Sequence, residues 1–170
     1  EDDCAYTKRK PESSLGIAMG VDVGGSLDVE IASIEPKNRV RLLFIGKVKG
    51  IDRVKELISD WGVETCVIDS MPEISMVQQF QEEADCSVWS CRYLGEGTDR
   101  RQKYDTTSKV ISVDRTNALD QTFAQVRMKK FILPHNWKSI LGGAFSKEMC
   151  DPVRELKEDV DKGKSKFEWS

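Results

Sequence analysis

The stretch from Ile17 to Ile34 constrains the fold of this chain more than any other part of the sequence. It reads IAMGVDVGGSLDVEIASI, so two apolar runs flank a glycine turn and the first run ends on Asp22. Gly24 and Gly25 permit backbone angles that a Cβ atom would forbid, which suits a tight reversal. The pattern predicts two strands joined by a hairpin, with a carboxylate exposed where the first strand ends. Asp22 then either caps the turn or faces a cleft, a partner or a metal ion, because burying it unpaired is costly.

The segments that follow predict a third strand and a helix. Val40 to Val48 is largely apolar, and the short turn at Pro36 to Asn38 makes it antiparallel to the second strand. Residues 52–61 carry apolar side chains at helical spacing, and Gly62 suits the C-terminal cap of that helix. The first three strands therefore form an antiparallel meander.

A second aspartate ends the next predicted strand. Residues 65–69 form a short apolar run that ends on Asp69, as expected of a strand buried on both faces. A helix is predicted from Ser70 to about Ala84, with Pro72 near its first turn, where the missing N–H costs nothing. Cys86 to Tyr93 is predicted to be a further strand.

The sequence after Tyr93 predicts a mixture of loops, short strands and helices. Leu94 to Asp105 is a charged loop that contains glycine, and residues 106–114 return to alternating β character. A helix is predicted to begin near Arg115 with Thr116 as its cap. Farther along, the pattern predicts an extended segment at 131–134, a mostly helical stretch at 137–157 with a break near Pro152, a charged turn at 157–166 and a short strand at 167–169.

This order of elements predicts an α/β fold in which helices flank a mixed sheet. The meander is antiparallel, whereas the strands that follow helices are expected to run parallel to the first strand. The carboxyl ends of neighbouring parallel strands lie at one edge of a sheet, where ligand and metal sites form in open α/β folds. Asp22 and Asp69 are therefore expected to meet at that edge.

Two aspartates at adjacent strand ends suit divalent cations. Mg²⁺ and Mn²⁺ favour carboxylate oxygens and keep waters that leave room for substrate phosphates. Two such ions about 4 Å apart can drive phosphodiester hydrolysis. Taken singly, Asp69 also fits a residue favoured by a helix N-terminus, but the pair in this strand order favours the metal site. Such sites usually have a third carboxylate, and spacing does not choose among Asp28, Glu30, Glu73, Asp114, Asp161 and Glu168.

Basic clusters are the candidates for DNA contact. Lys and Arg side chains hold a duplex through its phosphates without reading its sequence, although each cluster also fits a solvated loop. The candidates are Arg100, Arg101, Lys103 and Lys109, then Lys129 and Lys130, and finally Lys162, Lys164 and Lys166. His135 and the tryptophans fit structural roles better than those of a general base or a stacking surface.

Composition bounds the class of protein and its setting. The 170 residues, 39% hydrophobic and 32% charged, suit one globular domain. No apolar run approaches the length of about 20 residues that a membrane span requires. Five cysteines without the spacing of a zinc site, with one histidine, indicate a reducing cytoplasmic setting and no structural zinc. The net charge of -3 gives no overall attraction to nucleic acid, so local basic patches would hold DNA.

Four motifs carry a resemblance to a known family. They are Met19-Gly-Val-Asp-Val-Gly-Gly, Cys66-Val-Ile-Asp-Ser-Met-Pro-Glu, Val113-Asp-Arg-Thr-Asn-Ala-Leu-Asp and Phe131-Ile-Leu-Pro. Their order and spacing resemble the ribonuclease H-like fold, and more specifically the C-terminal nuclease domain of a tailed-bacteriophage large terminase subunit.

The resemblance implies a metal-dependent endonuclease that cuts concatemeric double-stranded viral DNA during packaging in the host cell cytoplasm. Mg²⁺ or Mn²⁺ would be its cofactor, and Asp22 and Asp69 its catalytic metal ligands. The packaging ATPase domain of the same full-length protein, the portal and the small terminase subunit would be its partners. In this family a third carboxylate follows the last strand, here beyond Ser170. Residues 94–107 would form a loop or hairpin beside the DNA groove.

The resemblance also implies how the chain is organised. Residues 1–15 would be an N-terminal arm or linker, and residues 16–170 the nuclease domain without its C-terminal end. Two alternatives stay open. A resolvase- or integrase-type nuclease of the same fold would prefer branched DNA or DNA ends. A non-catalytic module that binds the packaging motor would show no metal-dependent cleavage, and a Lys or Arg side chain would block its carboxylate cleft.

Overall fold

The computed structural model describes residues 14–94 and 102–133, together with the backbone of two strands at 154–159 and 164–169. Several sequence expectations lie outside these residues. They are the arm up to residue 13, Arg100 and Arg101, His135 and Trp137, the helical stretch before residue 154, and the basic or acidic side chains beyond residue 153.

One large mixed sheet organises the described residues. Its strands are β1 (Gly16–Val23), β2 (Leu27–Glu35), β3 (Arg39–Val48), β4 (Thr65–Asp69), β5 (Ser87–Tyr93), β6 (Lys103–Asp105), β7 (Val110–Val113) and β8 (Phe131–Ile132). They lie side by side in the order β6-β7-β5-β4-β1-β2-β3-β8. The strands β1, β2 and β3 are antiparallel, and β4 runs parallel to β1, β5 to β4 and β7 to β5. The predicted antiparallel meander with added parallel strands is confirmed.

Three helices accompany the sheet within the described residues: α1 (Ile51–Trp61), α2 (Ile74–Glu83) and α3 (Arg115–Arg127). The predicted inner face of α1 is confirmed, because Val54, Leu57, Ile58 and Trp61 are all buried. Val77 and Phe80 of α2 are buried in the same cluster, along with alternate residues of β1 and β4. Because side chains alternate along a strand, one face of the sheet holds the core under α1 and α2. The other face carries the intervening residues.

Gly62 ends α1 as predicted, and it does so in a left-handed conformation with φ of 61°. Its N–H reaches the carbonyl oxygens of Ile58 and Ser59, which the last turn of the helix would otherwise leave unpaired.

Substituting Gly62→Ala is expected to lower the free energy of unfolding by about 1 kcal/mol, because a Cβ atom disfavours the left-handed region. Urea denaturation followed by circular dichroism would measure the change. Gly20→Ala is the matched control, because Gly20 has no positive φ and its added methyl group would meet no atom within 4 Å. A loss at Gly62 no larger than that at Gly20 would contradict this account of the cap.

The structure corrects several predictions from the second half of the sequence. Asp114, not Thr116, caps α3, because its side-chain oxygen accepts a hydrogen bond from Asn117 N at 2.8 Å. Residues 103–105, expected within a loop, form β6 and pair with β7 as a hairpin. The end of the expected helix and the expected charged turn instead contain β9 (Arg154–Asp159) and the first half of β10 (Lys164–Trp169), which continues through the expected strand at 167–169. These strands pair antiparallel in a separate two-stranded sheet.

The described helices give no candidate for crossing a bilayer, since none is both long and apolar enough.

Candidate active site

Strand register brings Asp22 and Asp69 to the same edge of the sheet. Parallel pairing of β1 with β4 runs from Ala18 opposite Thr65 to Val21 opposite Ile68, and each aspartate is the next residue on its strand. Val21 and Ile68 are buried under the helices. The alternation of a strand therefore assigns both aspartates to the opposite face, on backbones about 4.8 Å apart.

The same register extends into a row that crosses the sheet. Asp28 lies opposite Asp22, and Lys47 lies opposite Asp28 on the next strand. On the other side, Cys91 lies opposite Asp69, followed by Ile111 and Tyr104. The row therefore has a charged half on β3, β2, β1 and β4, and a half with sulfur, aliphatic and aromatic groups on β5, β7 and β6. This row is called the carboxylate row below.

The floor beside Asp22 is open. Asp22 is exposed, and it lies two residues after Gly20, where an added Cβ would meet no atom within 4 Å. The turn that follows is closed by a hydrogen bond from Gly24 N to Ser26 O at 3.1 Å. A glycine on the strand and a tight turn at its end leave room for a ligand next to the carboxylate.

Asp69 is held in place by the backbone that follows it. Its Oδ1 atom accepts a hydrogen bond from Met71 N at 3.0 Å, and Ser70 N donates to Cys91 O at 3.0 Å. The structural alternative for Asp69, a residue at a helix N-terminus, does not describe this geometry, because α2 begins at Ile74 with Glu73 as its N-cap residue. The Asp69 carboxylate is thus oriented at the strand end rather than used to cap α2.

Two further carboxylates lie on the same face. Asp28 forms an ion pair with Lys47, whose Nζ atom is 3.1 Å from Asp28 Oδ1. Glu30 lies opposite Gly20. Desolvation raises the pKa of the Glu30 carboxyl, and the negative charge of Asp28 raises it further. Negative charge is therefore concentrated on this face beside Asp22, which favours a cation there.

Tyr93 and Arg115 border the site, and sequence analysis gave neither of them a role in it. Tyr93 is two residues beyond Cys91 on β5, and the Arg115 guanidinium lies 6.0 Å from the centroid of its ring. Burial raises the pKa of Tyr93, charges at Cys91, Asp69 and Asp22 add to the rise, and Arg115 opposes it. The sequence signal for Tyr93 is the alternation of β5. Cys91 lies opposite Asp69, so the residue two positions later, Tyr93, is on the same face of the sheet.

The two aspartates fit a divalent cation chemically, because carboxylate oxygens are the donors that Mg²⁺ and Mn²⁺ prefer. Within residues 14–94 and 102–133, no three His, Cys, Asp or Glu side chains converge closely enough to hold a metal ion. Of the candidates for a third carboxylate, Asp28 and Glu30 share the face, Asp114 caps α3, and Glu73 is exposed at the start of α2. The side chains of Asp161 and Glu168 are outside the described residues.

None of the described basic candidates is a member of the carboxylate row. Lys103 is on edge strand β6, in register with Ser112 and Arg92 rather than with Cys91. Lys109 precedes β7 and is close enough to Cys86 for its charge to oppose the rise in the pKa of that thiol, which burial causes.

Lys129 and Lys130 lie near the start of β3, where Val40 N donates to Lys130 O at 2.9 Å. Val40 is opposite Ile34 and thus at the Gly16 end of β1, remote from Asp22. The cations on the described part of the site are instead Lys47 and Arg115.

Comparisons with known proteins found likeness only among solved structures. No family model and no curated protein matches the chain. The nuclease domain of the large terminase subunit of bacterial virus Sf6, a lysine-to-alanine mutant with manganese and beta-thujaplicinol, is 11% identical. That match covers 92% of this chain and 79% of the other, with a TM-score of 0.49.

Two Holliday junction resolvases also match. The yeast mitochondrial enzyme Ydc2 is 8% identical over 77% of this chain and 71% of its own, with a TM-score of 0.42. RuvC of T. thermophilus, in complex with a Holliday junction, is 18% identical over 44% of this chain, with a TM-score of 0.37. The match spans 64% of the RuvC chain, slightly less than two thirds. The fold class of this chain, an antiparallel meander extended by parallel strands, is established by its own strand order.

Proposed function

We propose that this chain is a metal-dependent endonuclease domain that hydrolyses phosphodiester bonds of DNA. The observation that supports the proposal is the register of β1 and β4, which sets Asp22 and Asp69 side by side at the carboxyl edge of the sheet. Two adjacent carboxylates without a cation between them would repel each other. A cation between them removes that cost.

Each residue of the site has a distinct part in this proposal. Asp22 and Asp69 would hold Mg²⁺ or Mn²⁺, which supplies an activated water and stabilises the leaving oxygen. The hydrogen bond from Met71 N fixes the Asp69 carboxylate before substrate arrives. Arg115 offers a positive charge at the border of the site, where it can bind a phosphate of the strand being cut.

We infer further that the substrate is concatemeric double-stranded viral DNA, cut during genome packaging in the host cytoplasm. This inference rests on the four sequence motifs, two of which contain Asp22 and Asp69. The partners would be the packaging ATPase domain of the same protein, the portal and the small terminase subunit. The third metal ligand would be a carboxylate beyond Ser170, as in the family, or Asp28 or Glu30 on the same face.

Removal of the metal is expected to abolish cleavage. Supercoiled plasmid should be nicked and linearised with Mg²⁺ or Mn²⁺ and left intact with excess EDTA, because the site then lacks the cation that activates water. Agarose gel electrophoresis of time courses measures the rate, for this chain and for a longer form that continues past Ser170.

The control adds Mn²⁺ back after EDTA and is expected to restore the initial rate. Equal cleavage with and without EDTA would contradict the metal mechanism. Absence of cleavage under every metal condition, in both forms, would favour the non-catalytic motor module. Selective cleavage of four-way junctions over plasmid would favour the resolvase-type alternative.

A further inference from the structure

An aromatic surface lies beside the two aspartates, on β5 and β6. Tyr93 exposes 54% of its surface and Tyr104 exposes 60%, although both residues belong to strands. Trp89, Cys91 and Tyr93 alternate along β5, so they share the face of Asp69. Exposed aromatic side chains are the groups on which the bases of single-stranded nucleic acid stack.

Tyr104 is already engaged by neighbouring side chains. Its ring meets Trp89 edge to face at 6.3 Å between centroids, and its hydroxyl group donates to Gln102 Oε1 at 2.7 Å. Tyr104 is also two strands farther from Asp69 than β5 is. The exposed ring nearest to Asp69, and the one with no aromatic contact of its own among the described residues, is that of Tyr93.

The backbone of Tyr93 is fixed by its pairing with β7. Val113 lies opposite it on β7, and Leu94 N donates to Val113 O at 2.7 Å, which continues the pairing past Tyr93. Arg115 begins α3 directly after the capping residue Asp114, and its guanidinium lies over the Tyr93 ring. The ring and the cation are therefore positioned together before any substrate binds.

We propose that Tyr93 stacks on an unpaired base of the strand being cut, while Arg115 binds a phosphate of that strand. The faces of a base within a duplex are covered by its neighbours, so only a base that has left the stack can lie against the ring. Base stacking on an aromatic side chain is largely independent of sequence, and an adjacent arginine adds a phosphate contact. The substrate is then double-stranded DNA whose bases are unpaired next to the cut. This inference rests on the proposed function.

The influence of Asp22 and Asp69 on the pKa of Tyr93 supports the required proximity. It indicates that the hydroxyl end of the ring lies within electrostatic range of the carboxylates that would hold the cation. A base stacked on this ring would belong to a nucleotide at or next to the reacting phosphate.

Cleavage of two matched DNAs tests the proposal. One is a fully paired duplex, and the other has the same top strand but a bubble of several mismatched pairs. The protein is expected to cut within the bubble about tenfold faster than at the same positions of the duplex, since each stacked base contributes substantially to binding. Tyr93→Ala is expected to remove that preference, and Tyr93→Phe to keep it because the ring remains.

Tyr104→Ala is the matched control, because it also removes an exposed tyrosine of the same face and is expected to leave the preference unchanged. Arg115→Gln is expected to slow both DNAs by similar factors, since both carry the phosphate. Equal cutting of both DNAs by the unchanged protein, or an unchanged preference in Tyr93→Ala, would overturn the stacking proposal. Neither result would contradict the proposal that the chain is a metal-dependent nuclease.

A binding measurement that does not depend on cleavage separates the two proposals. With 2-aminopurine in the bubble, stacking on Tyr93 is expected to quench fluorescence on binding, and Tyr93→Ala is expected to abolish the quench. If quenching depends on Tyr93 while no metal supports cleavage, the base-stacking inference stands and the nuclease fails. Quenching that is equal in Tyr93→Ala and the unchanged protein would refute the stacking.

Discussion

Substituting Asp22→Asn is expected to lower metal-dependent DNA cleavage by a factor on the order of a thousand. The amide keeps the size of the side chain but removes its charge and one of its oxygen donors. A catalytic cation provides several kcal/mol of charge stabilisation in the transition state, and each 1.36 kcal/mol corresponds to a factor of ten in rate. Loss of that cation therefore accounts for a decrease of this size.

The decrease would be measured as the initial rate of plasmid nicking at saturating Mn²⁺. Asp69→Asn is expected to give a similar loss, and the double variant little more than either single one, because groups that act as a unit are not additive. Isothermal titration of Mn²⁺ provides a readout besides cleavage, and it should show weaker binding in both variants.

Asp60→Asn is the matched control. Asp60 is an exposed carboxylate on α1, on the far side of the sheet from Asp22. It is expected to leave the cleavage rate unchanged. The midpoint temperature of thermal unfolding of Asp22→Asn should be no lower than that of the unchanged protein, because the substitution removes one negative charge from an acidic face. Cleavage by Asp22→Asn at more than a tenth of the original rate would refute Asp22 as a metal ligand.

The sheet was predictable because its signals are local. Gly24, Gly25 and the turn at Pro36 to Asn38 specify the hairpins, and Gly62 marks the end of α1. Once short connections make a meander and helices connect parallel strands, few topologies are left. The adjacency of Asp22 and Asp69 follows from that topology and needs no knowledge of side-chain packing.

Other parts of the site were not predictable because they depend on contacts between distant segments. Arg115 reaches Tyr93 only because β5 and β7 pair, and Lys47 reaches Asp28 only through the register of β2 with β3. Asp114 and Thr116 are both residue types that cap helices well, so the sequence does not choose between them. The hydrogen bond that Asn117 N donates to Asp114 Oδ1 identifies Asp114 as the cap of α3. Spacing along the chain contains none of this information.

The same limit applies to a buried ion pair that sequence analysis did not identify. Glu35 ends β2 with its side chain 0% exposed, and Arg41 Nε donates to its Oε1 at 2.5 Å. Arg39 lies 3.3 Å from Oε2, an oxygen that accepts no hydrogen bond among the described residues. Glu35 faces the side of the sheet that otherwise holds the apolar core, so its charge depends chiefly on Arg41.

Substituting Arg41→Met is accordingly expected to lower the free energy of unfolding by about 3 kcal/mol, because it leaves a buried carboxylate without its main partner. Urea denaturation at pH 7 measures the change. The slope of the unfolding free energy against urea concentration should stay the same. Arg39→Met, at the longer and more exposed contact, is the matched control and is expected to cost less than 1 kcal/mol.

A double variant separates the charge from the packing. Arg41→Met combined with Glu35→Met is expected to recover most of the lost stability, because an apolar pair of similar volume often replaces a buried ion pair without cost. A double variant as unstable as Arg41→Met would show that the packing of the Arg41 stem, not the orphaned carboxylate, carries the effect. Glu35 lies at the end of β2 remote from Asp28, so the folded double variant should cleave DNA at the original rate.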